Sequence, residues 1–127
     1  MSNREPYNVY FGGQTIHPGE SYRSMGECLP VPFKPLSLRV HGCNKSTILT
    51  EFSYGYSTPI LEGGERNLWV YWCPEGIELE AKTIDSFSNF YLIMRNDGKR
   101  AVAPLIRVSG VILDPFYERK DNDIHYD

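Results

Sequence analysis

Three side chains near the middle of the sequence could form a nucleophilic centre. Cys43 could act as the nucleophile, His41 as its general base and Asp85 as the group that orients the base. His41 and Cys43, however, flank Gly42 at the end of a predicted strand, and a strand end explains them without catalysis. The sequence also lacks the Gly-x-Ser-x-Gly and His-Glu-x-x-His patterns, a phosphate-binding glycine loop and an EF-hand. We therefore predict no catalytic residues and no enzymatic activity.

Carboxylates are concentrated in two places and could bind a metal ion. One is the segment 75–80, and the other consists of Asp121, Asp123 and Asp127. Glu78 and Glu80 would share one strand face and repel each other unless a cation or an arginine lies between them, and calcium accepts such oxygen ligands. A solvated edge strand whose charges prevent aggregation explains the same pattern. We prefer the second explanation, predict no metal site and no cofactor, and leave calcium binding open.

The cysteines do not form a recognisable metal or disulfide pattern. Cys28, Cys43 and Cys73 are odd in number, widely spaced and without a Cys-x-x-Cys pair. A three-cysteine metal site would need a fourth ligand that the sequence does not indicate. Reduced, buried thiols are the simpler prediction.

Composition and charge exclude two classes of partner. The 127 residues carry a formal net charge of -3, and the 13 lysines and arginines are scattered, so we predict no nucleic-acid binding. No apolar run reaches the roughly 18 to 20 residues that span a bilayer, so we predict no membrane span. The first residues lack the apolar core of a signal peptide, and we expect synthesis in the cytosol without export.

Short segments rich in β-branched and aromatic residues recur along the chain, whereas no long window has helical periodicity. In one of them Leu36, Leu38 and Val40 alternate with polar residues, which predicts a half-solvated strand. The predicted strands are Tyr7 to Phe11, Thr15 to Ile16, Ser21 to Met25, Leu36 to His41, Thr47 to Tyr54, Leu68 to Cys73, Ile77 to Thr83, Phe90 to Asn96 and Ala101 to Leu113.

This spacing predicts an all-β fold, an antiparallel β-sandwich of about eight strands with jelly-roll-like connections. Residues 1–127 would form a single domain with short polar tails at 1–6 and 114–127. His17-Pro18-Gly19-Glu20 predicts a turn. Asn96-Asp97-Gly98-Lys99 predicts a hairpin between the last two strands, because Asp-Gly supplies the positive φ of a tight turn.

Pro30, Pro32 and Pro35 stand in the segment that precedes the third long strand. Proline cannot donate a ladder hydrogen bond and pushes the preceding residue towards extended conformations. The pattern could present an exposed proline helix to a partner. Immediate continuation into a strand favours a stiff brace at a sheet edge or crossing, with Phe33 anchored in the core.

Three turn segments carry a resemblance to a known group of proteins. They are His17-Pro18-Gly19-Glu20, Pro32-Phe33-Lys34-Pro35-Leu36 and Arg95-Asn96-Asp97-Gly98-Lys99-Arg100. Their order over roughly residues 7–113 resembles that of small all-β proteins associated with the capsids of bacterial viruses. The resemblance implies a capsid-associated sandwich, such as a minor capsid, decoration or spike-base protein. It supplies no functional residue.

Two predicted strands, residues 68–73 and residues 90–94, are apolar on both faces. A two-layer sandwich buries only one face of each sheet, so the second face needs a cover. Loops of the same chain could supply it, as could a partner subunit. Alternatively, Trp69 and Tyr71 could stack on sugar rings. Residues predicted at an interface are Trp69, Tyr71, Trp72, Tyr91, Phe116, Tyr117 and Tyr126.

The sequence thus predicts a non-enzymatic structural protein, a virion component that acts through contacts with copies of itself or with capsid proteins. If it is not viral, we expect it in the cytoplasm. The alternative is a carbohydrate-binding sandwich in which Trp69, Tyr71 or Trp72 lies exposed beside polar groups.

Overall fold

Nine strands make up the secondary structure of the part of the chain that the structure, a computed structural model, describes: residues 4–43, 46–64, 68–70 and 73–113. They are β1 Arg4–Gly12, β2 Ser21–Met25, β3 Phe33–His41, β4 Thr47–Tyr54, β5 Thr58–Pro59, β6 Leu68–Val70, β7 Cys73–Glu78, β8 Phe90–Asn96 and β9 Leu105–Leu113.

The strands form two antiparallel sheets whose order is that of a jelly roll. One sheet has the order β1-β9-β3-β7, and the other has the order β2-β8-β4-β5, with β6 also pairing with β4. Strands β1 to β4 therefore alternate between the two sheets, and β8 and β9 do the same, as two Greek keys require. Because β5 and β6 both pair with β4, nine strands fill the eight positions of the fold. The predicted all-β antiparallel sandwich is confirmed.

Phenylalanine rings from both sheets meet in the core. The Phe90 ring of the five-stranded sheet lies edge-on to Phe11 of the four-stranded sheet, with 4.9 Å between ring centroids. It also lies 6.0 Å from Phe33 and 5.7 Å from Phe52. All four side chains are buried, and centroid separations of this size are favourable for aromatic pairs. Phe90 thus joins the two layers at the centre of the sandwich.

The proline-rich segment leads directly into a central strand. Phe33 is buried as predicted, but β3 begins at this residue rather than at Leu36, and Pro35 pairs with Gly110 of β9. A Cβ atom on Gly110 would lie 2.1 Å from the backbone oxygen of Lys34. Glycine is therefore required where β9 passes the braced segment.

Leu36 does not share a face with Leu38 and Val40, contrary to the simple alternation. The register between β3 and β9 shifts between Pro35 and Ser37, which places a bulge at Leu36. Leu38 and Val40 are fully buried, whereas Leu36 is 45% exposed. The bulge adds one residue to β3, so each residue before it faces the side of the sheet opposite to the one that strict alternation predicts.

The predicted hairpin at Asp97-Gly98 is wrong, because β8 and β9 belong to different sheets. Gly98 is not among the glycines with positive φ, and its N–H instead donates to the Asn96 side-chain oxygen at 2.9 Å. The side-chain amide of Asn96 donates to the backbone oxygens of Ile16, at 2.9 Å, and Arg100, at 2.7 Å. Asn96 is fully buried and holds the chain where it crosses from one sheet to the other.

The predicted turn at His17-Pro18-Gly19-Glu20 is present, whereas the first strand begins earlier than predicted. At the predicted turn, Gly19 has a φ of +82°, and the Glu20 N–H donates to the His17 oxygen at 3.0 Å. The predicted amino-terminal tail is too long, because β1 begins at Arg4 and residues 4–6 pair with Leu113, Ile112 and Val111. The carboxyl-terminal segment 114–127 lies outside the described residues. Within the described ranges, no helix has the length and apolar character needed to cross a membrane.

Candidate functional site

Most of the residues predicted at an interface lie outside the described part of the chain. These are Tyr71, Trp72, Phe116, Tyr117 and Tyr126. Trp69 lies in β6, opposite Ile48 of β4 in the register of the five-stranded sheet. The prediction that these residues contact a partner, or that the tryptophans and Tyr71 bind sugar, stays a prediction.

Tyr91 is covered by its own chain. Its side chain is 5% exposed, and the guanidinium carbon of Arg23 lies 4.2 Å from the centroid of its ring. Arg23 comes from the neighbouring strand β2, and a cation held over an aromatic face is a favourable contact. The Tyr91 ring is therefore covered by its own chain, and its contact with a partner stays a prediction. At this position, the cover for the second face of β8 comes from the same molecule.

The possible nucleophilic set does not converge. Asp85 follows Ile84, which bridges to Phe33 at the first residue of β3, whereas His41 is the last residue of that strand. Eight residues of extended chain separate these two ends, roughly 25 Å at about 3.3 Å per residue. The Asp85 carboxylate cannot orient the His41 ring across this distance.

The side chains of Cys28 and Cys43 are described, that of Cys73 is not, and the two described thiols differ in exposure. Cys28 is exposed, contrary to the prediction of a buried thiol, and Cys43 is half-buried; both are free thiols. Burial raises the pKa of Cys43 to about 11, against a smaller lowering by a backbone hydrogen bond. A thiol with so high a pKa is a poor nucleophile at neutral pH.

We expect the two thiols to be alkylated at very different rates. At pH 8 the thiolate fraction of Cys43 is about a hundredfold below that of a thiol at the ordinary value of 9.0. Its reaction with iodoacetamide should rise about tenfold per pH unit up to about pH 11. Peptide mass spectrometry would follow both sites, with Cys28 as the internal control. Equal rates at Cys28 and Cys43 at pH 8 would contradict the burial of Cys43.

The acidic segment near β7 behaves as part of a sheet edge. β7 is the outermost strand of the four-stranded sheet, and Glu78 and Glu80 are both exposed. Among the described residues, no group of three His, Cys, Asp or Glu side chains could hold a metal ion. Exposed carboxylates on an outermost strand disfavour pairing with another sheet.

Three large apolar side chains are exposed at one end of the five-stranded sheet, and we call them the loop end: Met25, Tyr56 and Phe87. Tyr56 is fully exposed, Phe87 is 71% exposed and Met25 is 50% exposed. Backbone hydrogen bonds bring their segments together, because the Gly55 N–H donates to Asn89 at 2.8 Å and the Gly26 N–H donates to Phe90 at 2.7 Å. The loop end is therefore a local concentration of exposed apolar area.

Two residues of these loops have an unusual backbone. Ser57 has a φ of 71° and Phe87 a φ of 59°, in the left-handed region that bulky residues rarely adopt. The Ser57 hydroxyl donates to a Glu51 carboxylate oxygen at 2.9 Å, and the Phe87 N–H donates to the Leu29 oxygen at 2.7 Å. Backbone strain at an exposed aromatic residue is typical of functional loops.

A second feature is a cleft on the outer face of the four-stranded sheet, which we call the arginine cleft. It has a volume of about 360 Å³ and is lined by Tyr10, Arg39, His41, Leu105 and Arg107. The two arginines are half-buried, whereas the other three side chains are exposed. The lining residues come from β1, β3 and β9, which are neighbours in the sheet but distant in the sequence.

Sequence reasoning missed both features. Arg39 and His41 stand out as the polar face of an alternating strand, but nothing local indicates that Tyr10 and Arg107 lie beside them. Exposed apolar residues in turns, such as Tyr56 and Phe87, give no periodic signal. Comparisons with known proteins add no assignment, since no family model, curated protein or solved structure matches this chain.

Proposed function

We propose that this chain is a non-enzymatic assembly protein whose loop end binds other subunits, in the first place copies of itself. The observation that carries the proposal is the exposure of Met25, Tyr56 and Phe87 together at one end of the sandwich. Aromatic residues and methionine are enriched at protein interfaces. Their burial by a second subunit would remove this apolar area from water.

The strained loops support a role for these side chains beyond folding. An aromatic residue with positive φ costs stability, and Phe87 contributes little to the core, because most of its side chain is in solvent. The hydrogen bonds of the Phe87 N–H and the Ser57 hydroxyl hold both loops in this conformation. A rigid exposed aromatic loses little conformational entropy on binding, which favours an interface anchor.

The finer part of the proposal is that the assembly belongs to a viral capsid. The jelly-roll order of the sheets supports it, because viral capsid proteins are among the classes built on this fold. Lectin domains and cupins share the architecture, so the fold alone does not select among them. In a lattice, weak contacts at each loop end would be multiplied by avidity.

The first test removes one aromatic side chain of the loop end. Phe87→Asn should weaken self-association roughly thirtyfold, because a buried interface aromatic contributes about 2 kcal/mol. Asparagine tolerates positive φ better than phenylalanine, so the melting temperature of the subunit should not fall. The measurement is size-exclusion chromatography with light scattering over a concentration series, with Tyr56→Ser as a second variant.

Leu36→Ser is the matched control, since Leu36 is 45% exposed on the other sheet. It should leave association unchanged. A monomeric wild-type protein at high concentration would contradict self-assembly. An equal effect of Leu36→Ser and Phe87→Asn would contradict the assignment of the contact to the loop end.

A further inference from the structure

The arginine cleft places two cations directly opposite each other. In the register of the four-stranded sheet, Arg107 of β9 lies between Tyr10 of β1 and Arg39 of β3. Beside them, His41 pairs with Leu105. Like charges directly opposite each other across a strand pair are destabilising. With a net charge of -3 and 16 acidic residues, the chain has enough carboxylates to neutralise such a pair of arginines with its own side chains. The placement of Arg39 and Arg107 opposite each other therefore needs an explanation.

Neither guanidinium group has an acceptor among the side chains and backbone atoms that the structure describes, which do not include the side chains of residues 73–75. The Nε atom of Arg107 is buried and makes no hydrogen bond. The ion pair between Arg95 and Asp97 involves a strand of the other sheet and lies away from the cleft. A buried donor without a partner is costly, because it has lost water and gained nothing in exchange. An anion in the cleft would relieve both this cost and the repulsion between the two arginines.

The surroundings of the arginines restrict the size and kind of anion. Arginine binds carboxylates through two parallel hydrogen bonds, and its planar group suits a planar anion. The exposed Tyr10 ring and the Leu105 side chain supply an apolar wall beside the cations. At about 360 Å³ the cleft is at the small end of ligand pockets. It therefore suits one or two small rings rather than a polymer.

We infer that the arginine cleft binds an acidic saccharide, with a sugar carboxylate on Arg39 and Arg107 and the sugar ring against Tyr10. His41 at the rim can bind a hydroxyl group of the same sugar. The inference does not depend on the assembly role, because the cleft and the loop end lie on different sheets. It also differs from the predicted sugar site at Trp69 and Tyr71.

Titration of the 127-residue chain with four probes tests this inference. Glucuronate carries the ring and the carboxylate, glucose only the ring, acetate only the carboxylate, and sulfate a tetrahedral charge. In calorimetric or NMR titrations, glucuronate should bind at least roughly tenfold more tightly than acetate or sulfate, and glucose should not bind. Glucose binding as tight as that of glucuronate would overturn the inference. So would equal binding of glucuronate, acetate and sulfate, or no binding of any probe.

A pair of variants tests the role of the arginines. Arg107→Gln should weaken glucuronate binding at least roughly tenfold, because it removes a charge-assisted pair of hydrogen bonds. Arg100→Gln, which removes the same charge from an exposed position, should leave binding unchanged. Without ligand, Arg107→Gln should melt no lower than the wild type, because it relieves repulsion. Unchanged binding in Arg107→Gln, or a large fall in its melting temperature, would overturn the assignment.

Discussion

Replacing Phe90 with alanine is expected to lower the free energy of unfolding by about 4 kcal/mol, because the change leaves a cavity where the two sheets meet. Phe90 is buried and lies against Phe11, Phe33 and Phe52. The stability of a domain is only about 5 to 15 kcal/mol, so the variant should be near the limit of folding. Urea unfolding followed by circular dichroism measures the change.

The control for this prediction is Phe87→Asn, which removes a phenylalanine three residues away. Because Phe87 is mostly exposed, this variant should change the free energy of unfolding by no more than about 0.5 kcal/mol. A loss below about 1 kcal/mol for Phe90→Ala would show that the layers are not joined at this ring.

Asn96→Ala is the second change with a large expected effect, a loss of about 3 kcal/mol. The variant leaves the backbone oxygens of Ile16 and Arg100 and the N–H of Gly98 without their side-chain partner. The Ile16 oxygen keeps the Val102 N–H at 3.0 Å, so the loss comes from the Arg100 oxygen, the Gly98 N–H and the space that the deleted amide leaves in a fully buried position. Thermal and urea unfolding would measure the loss.

Two further asparagine variants separate the hydrogen bonds from other effects. Asn89→Ala is the control, because Asn89 is exposed, and it should be close to neutral. Asn96→Asp keeps the size but replaces the donating amide with an acceptor oxygen that faces two carbonyl oxygens, so it should be at least as destabilising as Asn96→Ala. Wild-type stability in Asn96→Asp would mean that the amide is not needed at the crossing.

The fold class and several strands could be predicted from local patterns alone. The bounds of β2, β4 and β8 agree with the prediction, since each is a run of strand-forming residues between clear turn signals. β3 extends further than predicted, because Pro35 can lie in a strand where it needs to donate no hydrogen bond.

The pairing of strands could not be predicted in the same way. Asp97-Gly98 is a strong local signal for a hairpin, yet the chain crosses to the other sheet at this point. The deciding contact joins Asn96 to Ile16, which is 80 residues earlier in the sequence. Long-range burial of one polar side chain thus outweighs the local preference of the turn.

The candidate sites could not be predicted from the sequence for the same reason, because both depend on contacts between segments that are distant in the chain. The arginine cleft depends on β9 lying between β1 and β3, an order that follows from the jelly-roll connection and not from neighbouring residues. The loop end depends on three separate turns meeting at one end of a sheet. Tyr91 is a further example, since nothing in the neighbouring sequence indicates that Arg23 of another strand lies over its ring.

Hydrogen exchange at low and high protein concentration tests the central claim, assembly through the loop end, most directly. The proposal predicts that amides in segments 25–31, 55–58 and 85–89 exchange more slowly at the concentration where the oligomer forms. Amides of segment 105–109, beside the arginine cleft, should be unaffected. Protection confined to other segments, or exchange that does not depend on concentration, would contradict the proposal.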